Sequence, residues 1–192
     1  MKLLVFDVET KKAFDEVGGY HPEKLGVSII GTYWRDESGE EYVGYREGNF
    51  SPFWRKLETA DLVVGFNIIS FDYETLKPYY TGSFKQFPSL DIMVEMEKHL
   101  GHRVSLDAVA KETLGEQKNG HGLDAIRYYH DGDWESLEKY CLQDVKVTKD
   151  IYDYGVANKV LRFKNKWNNI IEVPVNFDKS GQEEKTVQTT LF

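Results

Sequence analysis

Two carboxylates stand on alternate residues at the end of an apolar run, Leu3-Leu4-Val5-Phe6-Asp7-Val8-Glu9-Thr10. If the run is a strand, neighbouring side chains point to opposite faces, so Asp7 and Glu9 share one face. Such acids repel each other and are costly to hold out of water, and a divalent cation between them removes both problems. The bland alternative is a strand that runs out into a polar loop. Two further acids raise the same question. Gly65-Phe66-Asn67-Ile68-Ile69-Ser70-Phe71-Asp72 passes from an apolar strand into a helix and leaves Asp72 in its first turn, where the macrodipole alone would favour it. Asp144 is harder to explain in that way. Leu137, Cys141, Val145, Thr148, Ile151 and Tyr152 form a stripe at helical spacing, and Asp144 falls within it. An uncompensated acid on a core-facing stripe costs several kcal/mol, comparable to the stability margin of a domain. Tyr140 lies four residues earlier, on the same face one turn away. By itself, a tyrosine there reads as a half-buried aromatic with a wet hydroxyl.

Alternating strands and helices would carry these groups. The first strand is followed by a glycine- and charge-containing loop from Lys11 to Lys24, an apolar run from Leu25 to Trp34, turn chemistry from Asp36 to Glu40, and a returning strand from Glu41 to Tyr45. These three strands read as a meander. Ser51-Pro52 opens a helix to about Thr59, Asp61 to Phe66 is a buried strand, and a helix is expected from about Phe71 to Tyr79. Pro88 to Ile92 reads as a fifth strand and Ile92 to Leu100 as a helix stopped by Gly101. Ser105 caps a helix from Leu106 to Leu114, which Gly115 stops, and further helices are expected from Leu123 to Tyr129 and from about Trp134 to Tyr154. The pattern is α/β with a mixed sheet.

The 192 residues, 41% of them hydrophobic, suffice for one well-packed domain and hardly for two. We read one domain over residues 1–173 and a flexible tail over residues 174–192, where Lys, Ser, Gly, Gln and Glu predominate. No apolar run approaches the roughly 20 residues that span a bilayer, and no signal-peptide pattern follows Met1, so a cytoplasmic protein without a membrane partner is expected. The single cysteine, Cys141, excludes a disulfide framework and a cysteine-based zinc site. A net charge of −8 argues at first against a nucleic-acid partner. Four acids holding two divalent cations would bring it to −8 + 4 = −4 and concentrate positive charge at the site, so the sign excludes neither DNA nor RNA.

Taken together, Asp7-x-Glu9, Asn67-x-x-x-Phe71-Asp72 and Tyr140-x-x-x-Asp144 resemble the three exonuclease motifs of the DEDD superfamily. Tyrosine four residues before the last aspartate marks the DEDDy branch; the sister branch has histidine five before it, where this chain has Lys139. Gly65 to Asp72 and Tyr140-Cys141-Leu142-Gln143-Asp144-Val145 are most similar to the proofreading exonuclease domain of B-family DNA polymerases, and the resemblance covers about Lys2 to Gly155. It implies a ribonuclease-H-like fold with a five-stranded mixed sheet flanked by helices. It also implies that Asp7, Glu9, Asp72 and Asp144 hold two Mg²⁺ or Mn²⁺ ions about 3.5–4 Å apart, one activating the attacking water and the other stabilising the leaving oxygen. A phenol, with an ordinary pKa of about 10, is a poor base at neutral pH, so Tyr140 is assigned to orienting that water. By the same resemblance, Thr10 and Phe71 seat the terminal nucleotide and Asn67 binds the strand near the cleaved bond.

The chain ends Gln188-Thr189-Thr190-Leu191-Phe192, with two large apolar residues on a polar tail that offers them nothing to pack against. Gln188, Leu191 and Phe192 resemble the bacterial sliding-clamp-binding motif, a glutamine followed three residues later by Leu-Phe. They depart from the eukaryotic and archaeal clamp peptide, which needs a further aromatic pair. The alternative is a tail that folds back on the domain. Tethering to a clamp would raise the local concentration of the protein at DNA ends.

Other residues carry weaker signals. His121, between glycines, reads as exposed more readily than as a cleft residue, Asp91 reads as a helix cap, and His99 and His102 read as surface. Lys159, Arg162, Lys164 and Lys166 with Trp167 read either as a track for a nucleic-acid backbone or as a solvated edge strand. The expectation is a stand-alone, metal-dependent 3′→5′ exonuclease that releases nucleoside 5′-monophosphates from single-stranded or frayed 3′ ends of DNA in replication or repair. One alternative is an RNA 3′-end-trimming enzyme of the same superfamily; another is a catalytically inactive adaptor that binds DNA and a clamp. All four acids and the tyrosine are present, which counts against the adaptor.

Overall fold

A computed structural model describes residues 1–115 and 122–177. β1 (Leu3–Thr10), β2 (Val27–Asp36) and β3 (Gly39–Arg46) form the antiparallel meander. β4 (Leu62–Gly65) adds parallel to β1, and β5 (Ser89–Asp91) parallel to β4, giving one five-stranded mixed sheet in the order β3-β2-β1-β4-β5. Among the described residues six α-helices follow or flank it: α1 (Ser51–Thr59), α2 (Tyr73–Leu76), α3 (Ile92–Leu100), α4 (Leu106–Leu114), α5 (Gly122–Asp131) and α6 (Trp134–Asn158). β6 (Val160–Lys164) and β7 (Ile170–Pro174) form a separate antiparallel hairpin. No helix among the described residues is long and apolar enough to cross a membrane.

Alternation along β1 divides the core. Leu4, Phe6 and Val8 pack with Phe53 and Leu57 of α1 on one face, and Leu3 and Val5 pack with Val145, Val147 and Ile151 of α6 on the other. Asp7 and Glu9 continue the second row, so the strand's own period turns both acids toward α6. The helix can lie that close because Gly31, paired with Asp7 across the ladder, has no side chain. A Cβ there would stand 2.7 Å from the Cys141 sulfur.

Capping follows the sequence. Asp91, Ser105 and Asp133 accept the first free N–H groups of α3, α4 and α6, and Gly101 and Gly115 close α3 and α4 in the left-handed conformation. α6 runs one turn past the expected Tyr154 to Asn158 and is closed by Lys159, with φ 59°. The expected helix from Phe71 to Tyr79 is instead three pieces: a π-helical turn at Ile68–Asp72, then α2, then a 3₁₀ turn at Lys77–Tyr79. In the π turn the Tyr73 N–H reaches back five residues to the Ile68 carbonyl. At the far end Pro78 has no N–H with which to continue an α-helix.

The β6–β7 hairpin is fixed to α4 by the Thr113 hydroxyl, which donates to the Arg162 carbonyl at 3.0 Å and accepts the Arg162 N–H at 2.9 Å. Past β7, Phe177 stacks on Tyr152 of α6 with ring centroids 5.8 Å apart, so packed chain continues beyond residue 173.

Candidate active site

β1 reaches the site through a register shift against β2 between Glu9 and Thr10, a local irregularity of the kind that re-aims side chains at the rim of a sheet. One carboxylate oxygen each from Asp7 and Glu9 and the Cys141 sulfur lie within 4.8 Å of one another. Asp7, Glu9, Thr10, Phe71, Tyr140 and Asp144 all line a single cleft of about 550 Å³. That volume falls in the usual range of about 300–1,000 Å³ for small-ligand sites. β1 therefore meets α6 at one place, as the spacing of the acids requires.

On α6, Tyr140 and Asp144 are one turn apart on the cleft side, and the Tyr140 hydroxyl and one Asp144 carboxylate oxygen are buried atoms. Asp144 keeps only 6% of its surface exposed. Cys141 sits between them in sequence, and its thiol points at the Asp7 carbonyl, 3.7 Å away. Burial first, then the charges of Asp7, Glu9 and Asp144, push this thiol well above the ordinary cysteine range. It is a packed neutral group, and the charges of all three acids disfavour its thiolate.

Asp72 joins them from the other side. It is 2% exposed, and its Oδ1 accepts the Val8 N–H at 2.9 Å, between Asp7 and Glu9 on the strand. It makes no capping bond to α2, and its side chain is tied instead to β1. Burial, then the charges of Asp7 and Asp91, hold its pKa well above the usual carboxylate range. Crowded carboxylates that raise one another's pKa are what a divalent cation relieves, and an oxygen-only donor set suits Mg²⁺ or Mn²⁺. The acids present therefore fit a divalent cation.

The turn that presents Asp72 is built around Asn67, whose φ of 70° is unusual for a residue with a side chain. Asp91 holds it there. Its Oδ1 accepts the N–H of Asn67 at 2.8 Å and its Oδ2 that of Ile69 at 3.0 Å, while Oδ1 also caps α3 through Met93 and Val94 at 3.1 and 3.3 Å. Asp91 is thus the expected cap, with a second task that sequence spacing did not reveal. The Asn67 side-chain oxygen accepts the Ser70 hydroxyl at 2.5 Å, and Asn67 does not line the cleft. Gly65 completes the turn, since a Cβ there would stand 2.0 Å from Ile68 Cγ2.

An aromatic buttress went unread in the sequence. Phe14 stacks on Tyr20 at 4.9 Å and meets Phe71 edge-on at 6.0 Å, and the Tyr20 hydroxyl donates to the Ser70 carbonyl at 2.7 Å. Its only signal was two aromatic residues in an otherwise charged and glycine-containing loop. His99 and His102 are exposed, as expected. His121, Gln188, Leu191 and Phe192 lie outside the described residues.

The family model RNase_H_2, described as RNase_H superfamily, matches residues 4–156, from β1 into α6, and so spans all four acids and Tyr140. The chain belongs to the ribonuclease H superfamily. No curated protein matches it. Membership supports a nuclease-type hydrolytic activity, a nucleic-acid substrate and a divalent-metal requirement in general terms.

Proposed function

We propose that this chain is a metal-dependent 3′→5′ exonuclease of the DEDDy type, releasing nucleoside 5′-monophosphates from single-stranded or frayed 3′ ends of DNA in replication or repair. The observation that carries this reading is the meeting of Asp7, Glu9, Asp144 and Tyr140 at one cleft, with Asp72 bonded to the same strand. Asp7, Glu9, Asp72 and Asp144 would hold two Mg²⁺ or Mn²⁺ ions. When bound, the ions supply an acidified water and neutralise charge at the scissile phosphate.

The chain's own groups do the remainder. The Val8 N–H keeps the Asp72 carboxylate from swinging away from β1. Tyr140, one turn from Asp144, orients the attacking water, while Thr10 and Phe71 flank the terminal nucleotide. Asn67 is held in its turn by Asp91 and Ser70 outside the cleft lining, and by the resemblance alone it would bind the strand near the cleaved bond. Attack forms one P–O bond and breaks the bond to the 3′ oxygen of the preceding nucleotide, which is left as a hydroxyl. The tail residues Gln188, Leu191 and Phe192 would dock on a bacterial-type sliding clamp and keep the enzyme near its substrate.

Asp144→Asn tests the site. Shortening of an oligonucleotide in Mg²⁺ should stop while circular dichroism shows the fold retained; undiminished turnover would remove Asp144 from the site and the proposal with it.

A further inference from the structure

A second groove, of about 500 Å³, runs between the α3–α4 connection and the tip of the β6–β7 hairpin. Its walls include His102, Arg103, Phe163, Lys164, Lys166 and Trp167, and no acid lines it. In a chain of net charge −8 this is a marked segregation of positive charge. The structure also sorts the basic residues of the region. Arg162 is committed to Glu172 and the Tyr154 hydroxyl, and Lys159 closes α6. Among the described residues the ion pairs of Arg103 and Lys164 are long, to Glu97 at 3.6 Å and Glu112 at 3.5 Å, and both remain able to meet another anion.

Trp167 is 69% exposed, and the Lys166 ammonium stands 4.5 Å from its ring centroid. The hairpin tip that presents it is firm. The Asn165 side-chain oxygen accepts the N–H groups of both Trp167 and Asn169 at 3.0 Å, and Asn168 takes the left-handed conformation that closes the turn. A tryptophan exposed on a hydrogen-bonded turn beside a lysine offers a stacking platform on a backbone that folding has already ordered.

A chain of side-chain contacts links one wall of the groove to the turn that carries Asp72. Arg103 Nη2 lies 3.4 Å from the Ser70 hydroxyl, and Ser70 in turn bonds Asn67 in the turn that carries Asp72. We propose that this groove binds the single strand running on from the active cleft, through its phosphates at Arg103, Lys164 and Lys166 and through a base stacked on Trp167. The identity of the strand as substrate rests on the nuclease reading above; the binding itself does not.

The test is fluorescence anisotropy of the full chain with labelled oligothymidylate and oligouridylate of roughly 12 nucleotides, a length within the span that single-strand sites cover. EDTA is present throughout, so that turnover plays no part. Trp167→Ala, a change at an exposed side chain, should weaken binding about tenfold or more. Lys166→Gln should lower the slope of log affinity against log salt by about 0.7. Equal weakening for both oligonucleotides supports recognition of the shared phosphate and base chemistry; weakening of one alone supports the groove and names its strand. Affinity and salt slope unchanged in both variants overturn the proposal and leave the groove to an acidic protein segment. Binding through Trp167 by a wild type that, in a parallel reaction with Mg²⁺ or Mn²⁺ in place of EDTA, cleaves nothing keeps the groove and removes the nuclease reading. Intact cleavage with binding unchanged in the variants does the reverse.

Discussion

Asp91 lines no part of the cleft, yet its removal should disable the site. Asp91→Ala deletes the acceptor for four backbone N–H groups, those of Asn67, Ile69, Met93 and Val94. Loss of the α3 cap costs about 1 kcal/mol. The N–H groups of Asn67 and Ile69 lie in a half-buried turn, so each orphaned donor costs about 1 kcal/mol, the low end of the usual range. The sum, about 3 kcal/mol, corresponds to a fall of roughly 6–12 °C in Tm for a chain of this size. The loss does not come from the missing charge. Burial already pushes the Asp91 pKa up, and its charge raises that of Asp72, so a neutral side chain is easier to bury there. Asp91→Asn separates the two effects. Its carbonyl can stand where Oδ1 serves Asn67, Met93 and Val94, but its amide nitrogen then faces the Ile69 N–H, donor against donor. The cost should be about 1 kcal/mol, or roughly 2–4 °C. Thermal melts by circular dichroism rank the three proteins, and oligonucleotide cleavage below the lowest Tm reports the turn itself, which should make both variants slower than wild type. An Asp91→Ala protein that melts and cleaves like wild type would refute the reasoning; equal melting of the Asn and Ala variants would refute the division between charge and acceptor.

Gly31→Ala would set a Cβ 2.7 Å from the Cys141 sulfur and 3.3 Å from the Cys141 backbone carbon, so α6 must shift away from β1. Stability should fall by about 1–3 kcal/mol and cleavage should fall with it; adding Cys141→Ala should restore part of both, and a neutral Gly31→Ala would contradict the close approach. Asp36 accepts from the Ser38 hydroxyl and N–H and from the Trp34 indole, which lowers its pKa from 3.8 to about 2. A depressed carboxylate contributes stability that is present above pH 3.8 and is lost as pH falls toward about 2, so the Trp34 indole N–H resonance should titrate with a midpoint near that value and not near 4. Deleting Gln188 to Phe192 should leave oligonucleotide cleavage unchanged and end capture by an immobilised bacterial sliding clamp; capture that survives the deletion would remove these residues from the interface.

The parts of the site that one element holds were legible in the sequence. Asp7 with Glu9, and Tyr140 with Asp144, are related by the period of a strand and of a helix, and those periods follow from covalent geometry alone. What lay between elements was not legible. Asn67 reaches φ 70° and Ile68–Asp72 winds as a π turn because the Asp91 carboxylate, 24 residues further on, takes the N–H groups of Asn67 and Ile69. Local propensity therefore read a plain helix where long-range bonds impose a different one. The close contact of Cys141 with Gly31 is likewise a property of packing. In the basic stretch near the end of α6, composition treated Arg162 and Lys166 alike, whereas pairing with Glu172 withdraws the first and exposure on the hairpin presents the second.

Cleavage of 5′-labelled DNA and RNA strands of one sequence tests most directly whether Asp7, Glu9, Asp72, Asp144 and Tyr140 serve a 3′→5′ exonuclease. In Mg²⁺ or Mn²⁺ the labelled DNA should shorten one nucleotide at a time from its 3′ end with nucleoside 5′-monophosphates as the released product, and EDTA should stop it. Products cut from within the strand or from the 5′ end, cleavage that persists in EDTA, or intact strands of both kinds after incubation with metal would contradict it.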